Sequence, residues 1–249
     1  MAAARRGSKP PGVKAPRQKG SSSSSSRRSI AIALGVALVA AAALIVGALA
    51  FRKSDTPTPV GSPVVDIGGI PQSGRVLGDP NANVTLIEFA DPQCPACRYY
   101  TLNIYPTLVD QYVRTGKVKT QYHGFPFIGP DSIKALRFLM AASFQNKLWQ
   151  LMEALYRNQG AENSGWVTEA LVRRVAGEIR GLDVDRLFTD SQSRGVSAMI
   201  NSDLEQVQAK GLSQTPSFLI KVDGSAPYLL STQLDTSSLR SALDDALAK

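Results

Sequence analysis

The chain of 249 residues has little of the side-chain chemistry that metal and haem sites need, with only two cysteines and one histidine. A zinc site takes about four nitrogen, sulfur or oxygen ligands. Covalent haem attachment would need a histidine directly after the second cysteine, and Arg98 stands there. The sequence therefore predicts no metal site and no cofactor.

An excess of positive charge is also missing from the part of the chain that can fold. Ten of the 28 Lys and Arg residues lie before residue 54. Residues 54–249 therefore contain 18 Lys and Arg residues and all 20 Asp and Glu residues. A net charge of about −2 gives no electrostatic footprint for nucleic acid. We expect no nucleic-acid partner.

Charged residues are absent from residues 29–51, where Ala, Leu, Ile and Val dominate. As a helix this segment would span roughly 34 Å, enough to cross a hydrocarbon core of about 30 Å. The basic flank at residues 1–28 places the N-terminus in the cytoplasm by the positive-inside rule. The pattern predicts a transmembrane signal anchor in the lipid bilayer of the plasma membrane, crossed once, with the following domain outside the cytoplasm.

A cleaved signal peptide is the alternative, because Ala48-Leu49-Ala50 resembles a cleavage site. The apolar region of a signal peptide usually has about 7–15 residues, so the longer run here favours a retained anchor. Both interpretations export the domain to a compartment where disulfides form and persist.

Composition divides the remainder of the chain. Residues 1–28 are rich in Lys, Arg, Pro, Gly and Ser, which predicts a disordered cytoplasmic tail. Residues 52–66 contain Thr-Pro repeats and a Gly-Ser-Pro turn, which predicts a flexible linker. The folded domain is predicted at residues 67–249.

Hydrophobic periodicity predicts an α/β domain with one central mixed sheet. An all-helical insertion at about residues 131–210 lies between a β-α-β unit and a β-β-α unit. The predicted elements around it are strands at 84–90, 118–125, 217–222 and 228–231, and helices at 94–115, kinked at Pro106, and from 236 onward.

The two cysteines lie three residues apart in Cys94-Pro95-Ala96-Cys97, directly after a predicted strand. A C-x-x-C motif in a β-α pattern indicates thiol–disulfide exchange. Cys94 opens the predicted helix, where free N–H groups and the helix dipole stabilise a thiolate nucleophile. Cys97, one turn further, would resolve the mixed disulfide. A purely structural bridge is less favoured because so small a loop removes little unfolded-state entropy.

Thr215, Pro216 and Glu88 are further candidates for functional roles. A cis bond before Pro216 would turn the Thr215 backbone toward the sulfurs, where it could pair with a substrate chain; the alternative is an ordinary proline at a strand start. Glu88 is an acid inside an apolar strand, and burial would suit it to accept the proton of Cys97. Its alternative is a partly solvated edge position. His123 is interpreted as a half-buried strand residue, neither ligand nor base.

These features together resemble the DsbA-like thioredoxin-fold family in its membrane-anchored bacterial form. The likeness covers about residues 69–249. The motifs that carry it are Leu77-Gly78-Asp79-Pro80, Glu88-Phe89-Ala90-Asp91, Cys94-Pro95-Ala96-Cys97, Thr115-Gly116-Lys117-Val118, Phe125-Pro126 and Thr215-Pro216-Ser217-Phe218.

The resemblance implies a thioredoxin fold, a nucleophilic Cys94, a resolving Cys97, a cis bond before Pro216 and a buried acid at Glu88. It also implies reoxidation by a quinone-linked membrane partner of the DsbB or VKOR type. Strong oxidases of the family often carry histidine where this chain has Ala96. We therefore expect a moderately activated Cys94 and a milder oxidant.

The sequence as a whole predicts an extracytoplasmic thiol–disulfide oxidoreductase that introduces disulfides into exported proteins, with exported polypeptide thiols as its substrates. One alternative is a reductase or isomerase of the same fold. The other is a membrane-tethered peptide-binding or chaperone module in which the cysteines are incidental.

Overall fold

A six-stranded mixed sheet organises residues 65–231 and 233–249, which are the residues described by the computed structural model. The strand order is β1-β2-β4-β3-β5-β6, with β3 and β4 parallel and every other neighbouring pair antiparallel. The strands are β1 Gln72–Ser73, β2 Val76–Leu77, β3 Val84–Ala90, β4 Val118–Gly124, β5 Ser217–Val222 and β6 Tyr228–Leu229.

Strand β3 is the centre of the sheet, and all seven of its residues are buried. A continuous run of apolar residues with one acid suits this position, since a strand covered on both faces has no solvent side to alternate with. The predicted strands are confirmed. The β1–β2 hairpin was not predicted, because two-residue strands are too short to show a period of two.

The connection from β3 to β4 is one helical run, here called the β3–β4 helix. It consists of four consecutive segments: α1 Pro95–Tyr99, a π-helical stretch Tyr100–Ile104, α2 Tyr105–Leu108 and a second π-helical stretch Val109–Val113. Pro106, the predicted site of a kink, lies in the α2 segment between the two π-helical stretches. Missing i→i−4 bonds at such a proline favour these local adjustments.

The helical insertion between β4 and β5 matches the prediction closely. Its helices are α3 Pro130–Ser143, α4 Leu148–Arg157, α5 Glu169–Gly177, α6 Val184–Ser191 and α7 Arg194–Ala209. Side chains of Thr168, Asp183 and Ser193 accept hydrogen bonds from backbone N–H groups in the first turns of α5, α6 and α7. These caps supply acceptors that a helix N-terminus otherwise lacks.

The two faces of the sheet carry different partners. On one face, Leu86 and Ala90 of β3 join the main core with the β3–β4 helix and with the last helix, α8 Thr236–Leu247. On the other face, Ile87 and Phe89 pack in a smaller cluster with Val207 of α7. Alternation along β3 therefore assigns Glu88 to the face that carries the β3–β4 helix.

The predicted segments at the start of the chain fall largely outside the described residues. The predicted tail 1–28, anchor 29–51 and linker residues 52–64 lie there. Val65, which belongs to the predicted linker, is buried in the main core. Within residues 65–231 and 233–249, no helix combines the length and apolar character needed to cross a membrane.

Candidate active site

Cys94 is the N-cap residue of α1, at the end of the turn that follows β3. Its sulfur accepts a hydrogen bond from the backbone N–H of Cys97 at 3.4 Å. The thiol of Cys97 is the largest cause that lowers the pKa of Cys94, from 9.0 to about 6; burial opposes the shift, while the Thr215 side chain and the amides of Cys97 and Ala96 favour it. The arrangement holds Cys94 as a thiolate near neutral pH.

Cys97 lies one helical turn further into the protein and has no solvent exposure, whereas Cys94 is 6% exposed. Both cysteines are free thiols in this structure. Burial is the largest cause that raises the pKa of Cys97 well above 9.0, followed by its hydrogen bond to Cys94. The two sulfurs therefore differ strongly in acidity: the outer one is ionised first and the inner one stays protonated.

The predicted cis peptide bond between Thr215 and Pro216 is present. It directly precedes β5, the antiparallel neighbour of β3. The carbonyl oxygen of Thr215 lies 3.3 Å from the Cys94 sulfur, which donates to it when protonated. Residues 121 positions apart in the chain thus meet at the outer sulfur.

Glu88 is 2% exposed in the central strand, so the alternative of a solvated edge position does not apply. Its register partners are Tyr122 on β4 and Phe218 on β5. Burial, and then the charge on Cys94, raise the pKa of Glu88 to about 8. The charge of Glu88 in turn raises the pKa of Cys97, so the buried carboxylate is coupled electrostatically to both cysteines.

The turn before Cys94 is held by side chains that sequence reasoning did not single out. Asp91 accepts hydrogen bonds from the backbone N–H groups of Gln93 at 2.8 Å and Ile128 at 3.0 Å. The amide of Gln93 donates to Ser132 at 2.9 Å and accepts from the N–H of Asn163 at 2.7 Å. The helical insertion thereby fixes the turn that presents the outer cysteine.

A second contact from the insertion reaches the same turn. The side-chain amide of Gln159 donates to the carbonyl oxygens of Pro92 at 2.9 Å and Cys94 at 3.3 Å. The Tyr156 hydroxyl donates to the carbonyl oxygen of Asp91 at 3.1 Å. Only the dipeptide Asp91-Pro92 indicated an ordered turn in the sequence, because partners 37 to 70 residues away leave no local signal.

A cavity of about 530 Å³ opens beside the cysteines and the cis peptide bond. None of its lining residues is charged. Among them are Ala96, Leu212, Gln214, Pro216, Phe218 and Leu229. The cavity therefore offers apolar surface and neutral hydrogen-bonding groups beside Ala96, which lies between the cysteines, and beside Thr215, which contacts the outer one.

His123 lies on the opposite face of the sheet and is more buried than predicted, at 4% exposure. Its Nδ1 atom is 2.6 Å from Oδ1 of Asp203, and its ring stacks on Phe89 with centroids 4.8 Å apart. Among residues 65–231 and 233–249, no group of three or more His, Cys, Asp or Glu is arranged to hold a metal ion.

Known proteins are similar to this chain in sequence and in architecture. The sequence model of the family described as thioredoxin matches residues 71–245. The probable disulfide bond formation protein D of Bacillus cereus is 27% identical over 221 residues, which are 88% of this chain and 97% of that protein.

Two solved structures have the same fold. Oxidised BdbD from Bacillus subtilis superposes with a TM-score of 0.63 at 20% identity, over 72% of this chain and 98% of that one. Wolbachia pipientis alpha-DsbA1 superposes with a TM-score of 0.60 at 19% identity, over 74% and 94%. With the paired cysteines at the helix N-terminus, the chain belongs to the DsbA-like thioredoxin-fold family of thiol:disulfide oxidoreductases.

Proposed function

We propose that this oxidoreductase donates its Cys94–Cys97 disulfide to exported polypeptides. The observation that carries the proposal is the unequal acidity of the two cysteines, with the pKa of Cys94 lowered to about 6. A group that stabilises the thiolate stabilises the reduced protein, so the disulfide is more readily given away. This preference supports donation as the direction of electron flow in the proposed reaction.

In the proposed reaction, a substrate thiolate attacks the Cys94 sulfur of the disulfide. The Cys94–Cys97 bond breaks, a bond forms between Cys94 and the substrate, and Cys97 leaves as a thiolate that takes a proton from Glu88. A second substrate thiolate then attacks the substrate sulfur. The substrate leaves with a disulfide, and two electrons remain on the protein as the Cys94 thiolate and the Cys97 thiol.

The cavity next to Cys94 suits an extended polypeptide segment as the substrate. Its wall contains the cis-Pro216 loop, whose Thr215 carbonyl lies at the outer sulfur. Backbone pairing along Thr215 would align the incoming cysteine, and alternate side chains would enter the uncharged cavity. Because no lining residue is charged, charged side chains entering there would lose solvation without compensation.

The cellular placement in this proposal rests on the sequence. The uncharged segment 29–51 with its basic N-terminal flank would anchor the protein in the plasma membrane and leave the domain outside the cytoplasm. Each donated disulfide leaves a reduced protein, so the cycle needs an oxidant. We propose a quinone-linked membrane partner of the DsbB or VKOR type, which would accept the two electrons beside the anchor.

The test is the reduction potential of the Cys94–Cys97 pair, measured in glutathione buffers. About 30 mV corresponds to 1.4 kcal/mol for this two-electron couple. We expect a value above about −180 mV, where the disulfide is readily donated. A value below roughly −250 mV would contradict donation and favour the reductase alternative.

A Cys94→Ser variant separates the enzyme from a tethered binding module with incidental cysteines. We expect it to lose all oxidation of a reduced model peptide, since the attacked sulfur is gone. The matched measurement is binding of the same peptide with its cysteine replaced by serine. Retained oxidation in the variant would exclude the proposed chemistry.

A further inference from the structure

Tyr100 has a buried hydroxyl that the reaction above does not use. It follows Cys97 by three residues, so both side chains lie on the same face of the β3–β4 helix. Tyr100 has no solvent exposure. Among the described residues, its hydroxyl and Oε1 of Glu88 both lack a hydrogen-bond partner. Buried polar atoms of this kind are rare because desolvation is costly without a partner.

Phe218 neighbours both Glu88 and Tyr100, the two residues whose polar atoms lack partners. Glu88 on β3 is the register partner of Phe218 on β5. The ring of Tyr100 packs against the ring of Phe218 with centroids 4.7 Å apart. Burial and then the charge on Glu88 raise the pKa of Tyr100 well above 10.0. The hydroxyl therefore lies within electrostatic reach of the carboxylate.

The neighbouring tyrosines each have another hydrogen-bond partner. After burial, the charge on Glu88 also contributes to the raised pKa values of Tyr105, Tyr122 and Tyr156. Tyr105 is hydrogen-bonded to Thr120 at 2.9 Å, Tyr122 donates to the Ala90 carbonyl at 3.3 Å, and Tyr156 donates to a carbonyl of the turn before Cys94. Of these four described tyrosines, Tyr100 alone has a hydroxyl without any hydrogen-bond partner.

We propose that Tyr100 is a positioning residue whose hydroxyl donates a hydrogen bond to the Glu88 carboxylate through one internal water, and so stabilises the ionised Glu88 that receives the proton of Cys97. The inference rests on the proton role of Glu88 in the proposed function. It adds a donor for the charge that appears in the interior when Glu88 is ionised, which burial alone would disfavour.

The step in question is resolution of a mixed disulfide between Cys94 and a partner protein. The proton of Cys97 passes to Glu88, and the Cys97 sulfur attacks the Cys94 sulfur. The Cys94–Cys97 bond forms, the bond to the partner breaks, and the partner leaves as a thiolate with the electron pair. Tyr100 keeps its proton throughout and turns it toward the carboxylate only while Glu88 is ionised.

The experiment compares Tyr100→Phe with the parent full-length chain in the reduced state. The pKa of Glu88 is followed by infrared titration of its carboxyl band, which is assigned by its loss in Glu88→Gln. Loss of a donor to the charged form should raise this pKa by about one unit, a tenfold increase in proton affinity. The midpoint of the pH profile for mixed-disulfide resolution should move upward by the same amount.

Tyr122→Phe is the matched control, because it removes another buried hydroxyl next to Glu88. The Ala90 carbonyl that loses this donor keeps the N–H of Phe125 at 2.9 Å. We expect the pKa of Glu88 to stay unchanged in this variant. An equal pKa shift in both variants, or none in Tyr100→Phe, would overturn the proposal.

A measurement with Tyr100 intact covers the case in which Tyr100→Phe fails to fold. The ¹³Cζ resonance of Tyr100 should titrate with Glu88 in the parent chain and stay flat in Glu88→Gln; a flat response in both overturns the proposal. None of these pKa measurements needs a substrate. If the protein donates no disulfides but the pKa of Glu88 still rises in Tyr100→Phe, the proposed function is contradicted and the role of Tyr100 is not.

Discussion

The acidity of Cys94 comes from more than its position at the start of a helix. A helix terminus alone provides about 0.3–1 kcal/mol, or about 2 kcal/mol when partly buried, which corresponds to roughly one pKa unit. The pKa of about 6 is lower than that contribution predicts, because the thiol of Cys97 and the Thr215 side chain also favour the thiolate. It still agrees with moderate activation in a motif that contains Ala96.

Replacing Cys97 with alanine should therefore raise the pKa of Cys94 by about one unit or more. The largest cause of the lowered pKa is the hydrogen bond from the Cys97 thiol, and a hydrogen bond to a charged group contributes about 1.5–3 kcal/mol. Ultraviolet thiolate absorbance against pH measures the change. Cys97→Ser is the control, since its hydroxyl can still donate; identical titrations of Cys97→Ala and the parent would assign the effect to the helix alone.

At the scale of elements, a buried acid adds hydrogen bonds to the apolar packing of α7 against the sheet. Asp203 has no exposure and accepts from Arg75 at 2.7 and 2.8 Å. It also accepts from the Gly124 N–H at 2.8 Å and lies 2.6 Å from His123. Because the segment after α7 leads to the cis-Pro216 loop, this attachment positions one wall of the active site.

An Asp203→Ala variant should lower the free energy of unfolding by about 2–4 kcal/mol, since it leaves the buried partners without their acceptor. Chemical denaturation measures the loss. Asp185 offers a matched control, because it pairs with Arg173 while its own side chain is 92% exposed. We expect Asp185→Ala to behave like the parent; equal stability of both variants would show that Asp203 does not anchor α7.

The helical insertion also shapes the reactive turn through polar contacts. Gln93 and Gln159 connect the turn before Cys94 to residues of the insertion and its loops. The insertion is thus more than a lid on the sheet, because it contributes the hydrogen bonds that keep Cys94 at the helix N-terminus. Periodicity predicted its helices, and only their packing revealed these bonds.

At the scale of the whole molecule, an acid in the central strand makes stability depend on pH. The pKa of Glu88 is about 8 in the folded protein against 4.5 ordinarily. Between these values the folded protein keeps a proton that the unfolded chain releases, so the contribution of Glu88 to stability falls as pH rises. The cost is fully present above about pH 8 and absent below about pH 4.5.

Glu88→Gln should consequently stabilise the reduced protein at pH 8 and leave it unchanged near pH 4.5. The difference at high pH should be on the order of 4 kcal/mol, at about 1.36 kcal/mol for each pKa unit. Denaturant unfolding of parent and variant across pH measures it, and the subtraction removes the opposite pH dependence of Cys94. Glu162→Gln, at an exposed position, should give no such difference, and a pH-independent effect of Glu88→Gln would contradict the linkage.

Much of the fold was predictable because its elements have strong local patterns. The strand at Val84–Ala90 is an apolar run broken only by Thr85 and Glu88, and the helices of the insertion repeat apolar residues at helical spacing. The β1–β2 hairpin was missed because its strands have two residues each. The burial of Val65 in the core was not predicted, because a single apolar residue shows no periodicity.

The sequence by itself determined the chemistry: two cysteines three residues apart after a buried strand, with an acid inside that strand, specify a dithiol at a helix N-terminus. Only the tertiary structure decided how far the sulfurs differ in acidity, because Thr215 contacts Cys94, and the charge of Glu88 acts on Cys97, through folding across the sheet. Hydrogen-bond geometry and burial depend on distances in space, and residues far apart in the chain carry no local record of them.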